Sequence, residues 1–173
     1  SEILWTLIAM TTEELGADGG SLFLSDPLTG ELYPRVAQGD LTREIRILNT
    51  TGIAGSIFQS GEGEIIHNAY EDERFNSKID EQTGYVTKNI VCAPVRTVRN
   101  DVIGVIQILN KKRGRFTKED LDIVEAITAQ AAVSLQNAQG MEEMVKSREK
   151  EMQFLDIVSD VTAEIDLGSL LQR

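Results

Sequence analysis

The chain has 173 residues and a formal net charge of −11, which disfavours nucleic acid and anionic membrane as partners. No apolar run reaches the length of a membrane span, no signal peptide is visible, and the single Cys92 and single His67 leave little for disulfides, metal sites or histidine catalysis. The expected setting is cytoplasmic, and the length suits one domain with an additional segment.

Residues 2–16 predict an amphipathic helix, with Ile3, Leu4, Leu7, Ile8, Thr11 and Leu15 at three- and four-residue spacings and Gly16 as its stop. A strand follows at Ser21–Ser25. Turn chemistry at Asp26–Gly30 leads to a second strand over Glu31–Gln38. Strand parity puts Ser21 and Phe23 on one face and Leu22 and Leu24 on the other. Arg43–Leu48 predicts a weaker strand. Thr50 and Thr51 offer an N-cap to a helix beginning Gly52-Ile53-Ala54-Gly55, whose small residues leave the first backbone N–H groups open to a ligand. Ile65-Ile66 is a short buried strand.

Residues 68–88 are polar and irregular, a length that inside a compact domain points to a functional loop or lid. Asp80 and Thr83 suit one short helical turn that Gly84 ends. Ile90–Val98 predicts a strand in which Pro94 demands a bulge or an unpaired side. Asn100-Asp101 suits a tight hairpin. The strand it enters, Val102–Lys111, is β-branched and apolar on both faces except at Gln107, whose amide must find partners in protein, water or a ligand.

Thr117-Lys118-Glu119-Asp120 resembles a capping box for a helix over 118–139. Residues 141–165 remain helix-forming, with Val145, Met152, Leu155, Val158, Thr162 and Ile165 in a rough heptad seam that predicts a two-stranded coiled coil between protomers. Asp166–Ser169 predicts a break, and a further module is expected to begin near residue 167. No nucleophile with a plausible base and no metal cluster is visible, so the chain is not expected to be an enzyme; any catalytic domain of the parent protein would lie outside it.

This order of elements resembles a GAF domain over roughly residues 1–139. The residues that carry the likeness are Ser21-Leu22-Phe23-Leu24, Gly52-Ile53-Ala54-Gly55, Asn68-Ala69-Tyr70, Arg74-Phe75-Asn76, Thr83-Gly84-Tyr85, and Asn110-Lys111 followed by Phe116 and Asp120. The likeness is greatest to the GAF domains of cyclic-nucleotide phosphodiesterases and cyanobacterial-type adenylate cyclases. In the last set Lys111 and Asp120 would form a structural ion pair, and Leu121 stands where the family motif has Glu.

The resemblance implies an α+β fold: a six-stranded antiparallel sheet with helices on one face, a ligand pocket on the other, and a long C-terminal connecting helix. The domain would span 1–139, the connecting helix 140–166, and a second module, expected to be another GAF domain, would start at 167–173. The implied pocket contacts are Ser21, Gly39, Asp40, Ile53, Ala54, Asn76, Asp80, Thr83, Thr87 and Gln107, with no metal ligands. The implied function is a regulatory sensor of a signalling protein, expected to be a nucleotide cyclase, that binds cAMP or cGMP, with cAMP favoured. It would signal through a dimeric C-terminal helix to an output domain in the same chain. The alternative is a dimerisation and transmission module with no ligand.

Overall fold

The computed structural model describes residues 2–38 and 46–171; the side chains of residues 79, 82, 83, 138–143, 145, 146 and 156–171 lie outside that description. The chain divides into two units, 1–134 and 135–173. The elements in order are α1 (Glu2–Leu15), β1 (Ala17–Asp26), β2 (Glu31–Ala37), β3 (Ile47–Leu48), α2 (Gly52–Ser60), β4 (Glu64–Ile66), α3 (Lys78–Thr83), β5 (Ile90–Arg96), β6 (Val102–Lys111) and α4 (Lys118–Leu171). The strands form one six-stranded sheet in the order β3-β2-β1-β6-β5-β4, and every pairing is antiparallel.

The first unit is a sheet with two unlike faces. On one, Leu22, Val91, Val95, Ile106 and Ile108 are fully buried, and α1 packs on β1 and β2 there. Gly20 allows this contact. A Cβ there would stand 2.7 Å from Ile108 Cδ1 and 3.0 Å from Ile8 Cγ2, so α1 rests directly on the strand backbone. The strand begins at Ala17 and not at Ser21, and Gly20 stands inside it where the helix comes close.

On the other face α2 packs over β5 and β6. Its Ile53, Ala54 and Ile57 join Leu32, Ile66, Ile90, Cys92, Val105 and Leu109 in one apolar cluster, edged by Phe23, Phe75 and Tyr85. Gly55 permits a tight entry to α2, since a Cβ there would fall 2.7 Å from the Thr50 carbonyl carbon.

The predicted strand signals place well. Pro94 pairs with Val105, while β4 ends opposite Cys92, so the missing N–H falls where β5 has no second partner. The turn after β5 closes with Asn100 at φ 71°. The capping box at the start of α4 is formed: Thr117 N–H donates to Asp120 Oδ2 at 2.9 Å, and Asp120 N–H to Thr117 Oγ1 at 3.2 Å.

Two local expectations fail. Thr51 occupies the N-cap position of α2, but its side chain makes no capping hydrogen bond. The helix α4 runs on to Leu171 through Asp166–Ser169, where a break is predicted; one glycine costs a helix only about 1 kcal/mol, too little to end it alone. In the second unit the described side chains Met144, Met152, Phe154 and Leu155 are exposed. No helix among the described residues is long and apolar enough to cross a membrane.

Candidate functional site

Four strands set one row across the α2 face. Register pairs Ser21 with Gln107, Gln107 with Cys92, and Cys92 with Glu64. Above this row lies a cavity of about 150 Å³, roofed by α2 and walled by the segment that follows β4. An apolar cavity of about that size holds a benzene-sized ring, whereas sites for drug-sized ligands run to roughly 300–1,000 Å³.

Seven of the ten predicted pocket residues line this cavity: Ser21, Ile53, Ala54, Asn76, Asp80, Thr87 and Gln107. Gly39 and Asp40 lie outside the described residues, and so does the side chain of Thr83. The lining also includes Phe23, Pro34, Ala37, Ile47, Thr51, Gly52, Phe75 and Leu109. Of these, the parity of β1 foretells Phe23. Ala37 is readable only once its register with Ser21 is known.

The lining is largely apolar, and among the described residues no Lys or Arg reaches it. The first turn of α2 enters at Thr51, Gly52, Ile53 and Ala54, with no side chain capping it. Its N–H groups and dipole are what the cavity offers an anion. Gln107 is half-buried with its amide beside the Cys92 thiol. Burial pushes that thiol well above its ordinary pKa, and the Gln107 amide offsets part of the rise.

Asp80 is held by its own chain. It accepts from Tyr70 Oη at 2.7 Å, Thr87 N–H at 2.7 Å and Thr87 Oγ1 at 3.0 Å. The bond to Asp80 raises the Tyr70 hydroxyl pKa. Gly84 in the left-handed region then ends α3 by donating to the Asp80 carbonyl at 2.8 Å.

Asn110 fixes the far end of the same segment. At φ 56° it takes the left-handed conformation one residue before the end of β6, where Lys111 pairs with Ala17. Its Oδ1 accepts from Lys88 N–H at 2.6 Å and Asn89 N–H at 3.3 Å, and its Nδ2 donates to Tyr85 Oη at 2.9 Å and the Val86 carbonyl at 2.7 Å. Burial first, then the negative charge of Asp18, pushes the Tyr85 hydroxyl up to about 12.

The next residue, Lys111, pairs with Asp120 and lies 5.8 Å from the Phe116 ring centroid. Burial raises the Asp120 pKa, but the Lys111 bond and the Thr117 N–H outweigh it and hold the carboxyl below its ordinary range. Asn110, Lys111, Phe116 and Asp120 thus tie the cavity's wall to the first turn of α4 without touching the cavity.

The GAF domain family profile matches residues 1–135. The chain belongs to the GAF domain family. Among curated proteins it is 39% identical over 155 residues to the probable 3',5'-cyclic phosphodiesterase pde-5 of Caenorhabditis elegans, covering 83% of this chain and 21% of that protein. It is 36% identical over 167 residues to the dual 3',5'-cyclic-AMP and -GMP phosphodiesterase 11 of Drosophila melanogaster, covering 87% of this chain and 12% of that protein. The chain thus spans about a fifth or less of these relatives.

Among solved structures, the GAF domain of a Coxiella burnetii phosphoenolpyruvate-protein phosphotransferase superposes with a TM-score of 0.75 at 18% identity, covering 82% of this chain and 85% of that one. The free methionine-R-sulfoxide reductase of Neisseria meningitidis gives 0.68 at 16%, covering 80% and 78%. At such identities the likeness is one of fold. The domain is a regulatory one, and the catalytic parts of its phosphodiesterase relatives lie elsewhere in those proteins.

Proposed function

We propose that this domain senses a cyclic nucleotide, and that the ring system of the ligand occupies the cavity over Ser21, Gln107 and Thr87. The observation that carries the reading is a polar side chain, Gln107, lining a largely apolar cavity of about 150 Å³ beside the uncapped mouth of α2. The amide both donates and accepts, as the edge of a purine requires. The α2 N-terminus supplies N–H groups for a phosphate that no Lys or Arg among the described lining residues meets.

Of the two nucleotides, cAMP is our first choice and cGMP the second. The relatives favour a phosphodiesterase as the parent over the nucleotide cyclase that the sequence suggested. Output would pass from the ligand wall through Asn110 and the Lys111–Asp120 pair to α4, as a shift between two populated states. A homodimer through the terminal helices fits the exposed Ile3, Trp5 and Met10 of α1 and the exposed Met152 and Leu155 of α4.

Titration calorimetry with cAMP and with cGMP tests the reading. Heat and a thermal upshift are expected with at least one of them; neither signal with either nucleotide overturns it. Sedimentation at tens of micromolar tests the dimer. A second reading, transmission without a ligand, is favoured by the three hydrogen bonds that commit Asp80 to Tyr70 and Thr87. It predicts native mass spectra of protein taken from cells with no retained nucleotide.

A further inference from the structure

Arg74 uses every donor it owns. Nε and Nη2 reach the two Asp72 oxygens at 3.0 and 2.8 Å. Nη1 and Nη2 reach the two Glu64 oxygens at 3.0 and 3.3 Å, and Nη1 also donates to Ser56 Oγ at 2.9 Å. A guanidinium carries five N–H groups in a fixed fork, and here all are engaged. The bonds raise the Arg74 pKa further and hold Asp72 below the ordinary carboxylate range.

The three partners come from three elements. Ser56 is in α2, Glu64 in β4, and Asp72 in the segment between β4 and α3. The next two residues, Phe75 and Asn76, are cavity wall. Phe75 is also anchored through its ring, 5.2 Å from that of Tyr70 in an edge-on contact. Where Arg74 goes, this wall goes.

We propose that Arg74 is the latch of the cavity. Its clasp to Glu64 and Ser56 positions the Phe75–Asn76 wall, and its release sets how often the cavity opens. This rests on the ligand reading above: a cavity of about 150 Å³ lies below the roughly 300–1,000 Å³ of sites for drug-sized ligands, and movement of the Phe75–Asn76 wall would enlarge it. The latch is the suitable part to yield. The Arg74, Glu64 and Asp72 side chains are 33%, 40% and 19% exposed, so water and salt compete for them, while the opposite face of the sheet is dry apolar packing.

Cys92 provides a probe that needs no ligand. It is the only cysteine, it is 0% exposed, and it is the register partner of both Glu64 and Gln107. Its labelling by Ellman's reagent, followed in low urea without nucleotide, reports opening of this face. Arg74→Gln is expected to label about tenfold faster, the factor expected when charge-assisted hydrogen bonds are lost. Glu64→Gln should accelerate it less, and about 1 M salt should speed the native protein but not Arg74→Gln.

Local opening predicts a labelling rate that hardly changes with urea, whereas global unfolding carries the full urea slope. An unchanged rate in both variants overturns the proposal, and so does an acceleration that follows the global slope. Repeating the labelling with cAMP and then cGMP separates the two readings. Slower labelling in the native protein supports both; no effect of either nucleotide, with Arg74→Gln still fast, leaves the latch and removes the cyclic nucleotide.

Discussion

The two faces of this sheet are made by alternate residues of the same strands, yet they are held by different forces. Leu22, Ile106 and Ile108 point to the face on which α1 packs and are fully buried. Ser21, Gln107 and Cys92, their neighbours in sequence, point to the face that holds the cavity. The first face is closed by area removed from water. The second also buries an apolar cluster under α2, but the segment that walls its hollow is held by a few polar anchors: Arg74 on one side, Asp80 at the middle, Asn110 at the far end. A face closed by packing has one arrangement, because any displacement opens a void. A wall held by polar bonds can trade them for water, which is what a site that admits a guest requires.

The largest expected effect therefore lies on the dry face. Ile106→Ala should cost about 2–5 kcal/mol, the usual range for deleting a buried aliphatic side chain in a core that cannot collapse around it. Urea unfolding with an unchanged slope measures it. Nucleotide affinity in the surviving folded fraction should be unaltered. Weakened binding at full folding would show that the two faces are not independent and would remove the contrast.

How far the contrast can be read from sequence depends on distance along the chain. Period-two alternation puts Ser21 and Phe23 opposite Leu22 and Leu24 with no knowledge of the fold, and the Gln107 amide in the middle of β6 marks the hollow face at once. The capping box is equally local, since Thr117 and Asp120 are three residues apart. Asn110 and Lys111 are recognisable only as a family motif; the four bonds of Asn110 reach residues more than 20 positions away. Arg74 is harder still. Its partners Ser56 and Glu64 lie 18 and 10 residues upstream in other elements, and no spacing rule joins them. Gly20 misleads for the opposite reason: locally it is turn chemistry, and only the arrival of α1 explains it inside a strand.

An intermediate effect belongs to the link between the faces. The Lys111 and Asp120 side chains are 19% and 12% exposed, so Asp120→Asn should cost on the order of 1 kcal/mol. The sign of its pH dependence is fixed by the depressed Asp120 pKa. A carboxylate held below its unfolded value adds stability that is complete above about pH 4 and is lost as pH falls through the lower folded value. The melting-temperature gap between native protein and Asp120→Asn should thus be constant from about pH 6 to 8 and close below about pH 4. A gap that widens in acid would mean that the pair does not hold the turn before α4.

The smallest effect on stability carries the most about function. Gln107→Leu puts an apolar side chain of similar length at a half-buried position facing the cavity. It removes one weak contact with the Cys92 thiol and relieves an amide of its desolvation, so the net change should stay within about 1 kcal/mol of zero. On a face built only to pack, nothing else would change. On a face built to hold a purine edge, the amide is the group that reads it, and its loss should weaken nucleotide binding by about tenfold or more. Melting curves and calorimetry on the same preparation decide the matter. If the variant melts like the native protein and still binds nucleotide equally well, the polar row does not read the base, and recognition must come from the mouth of α2 alone.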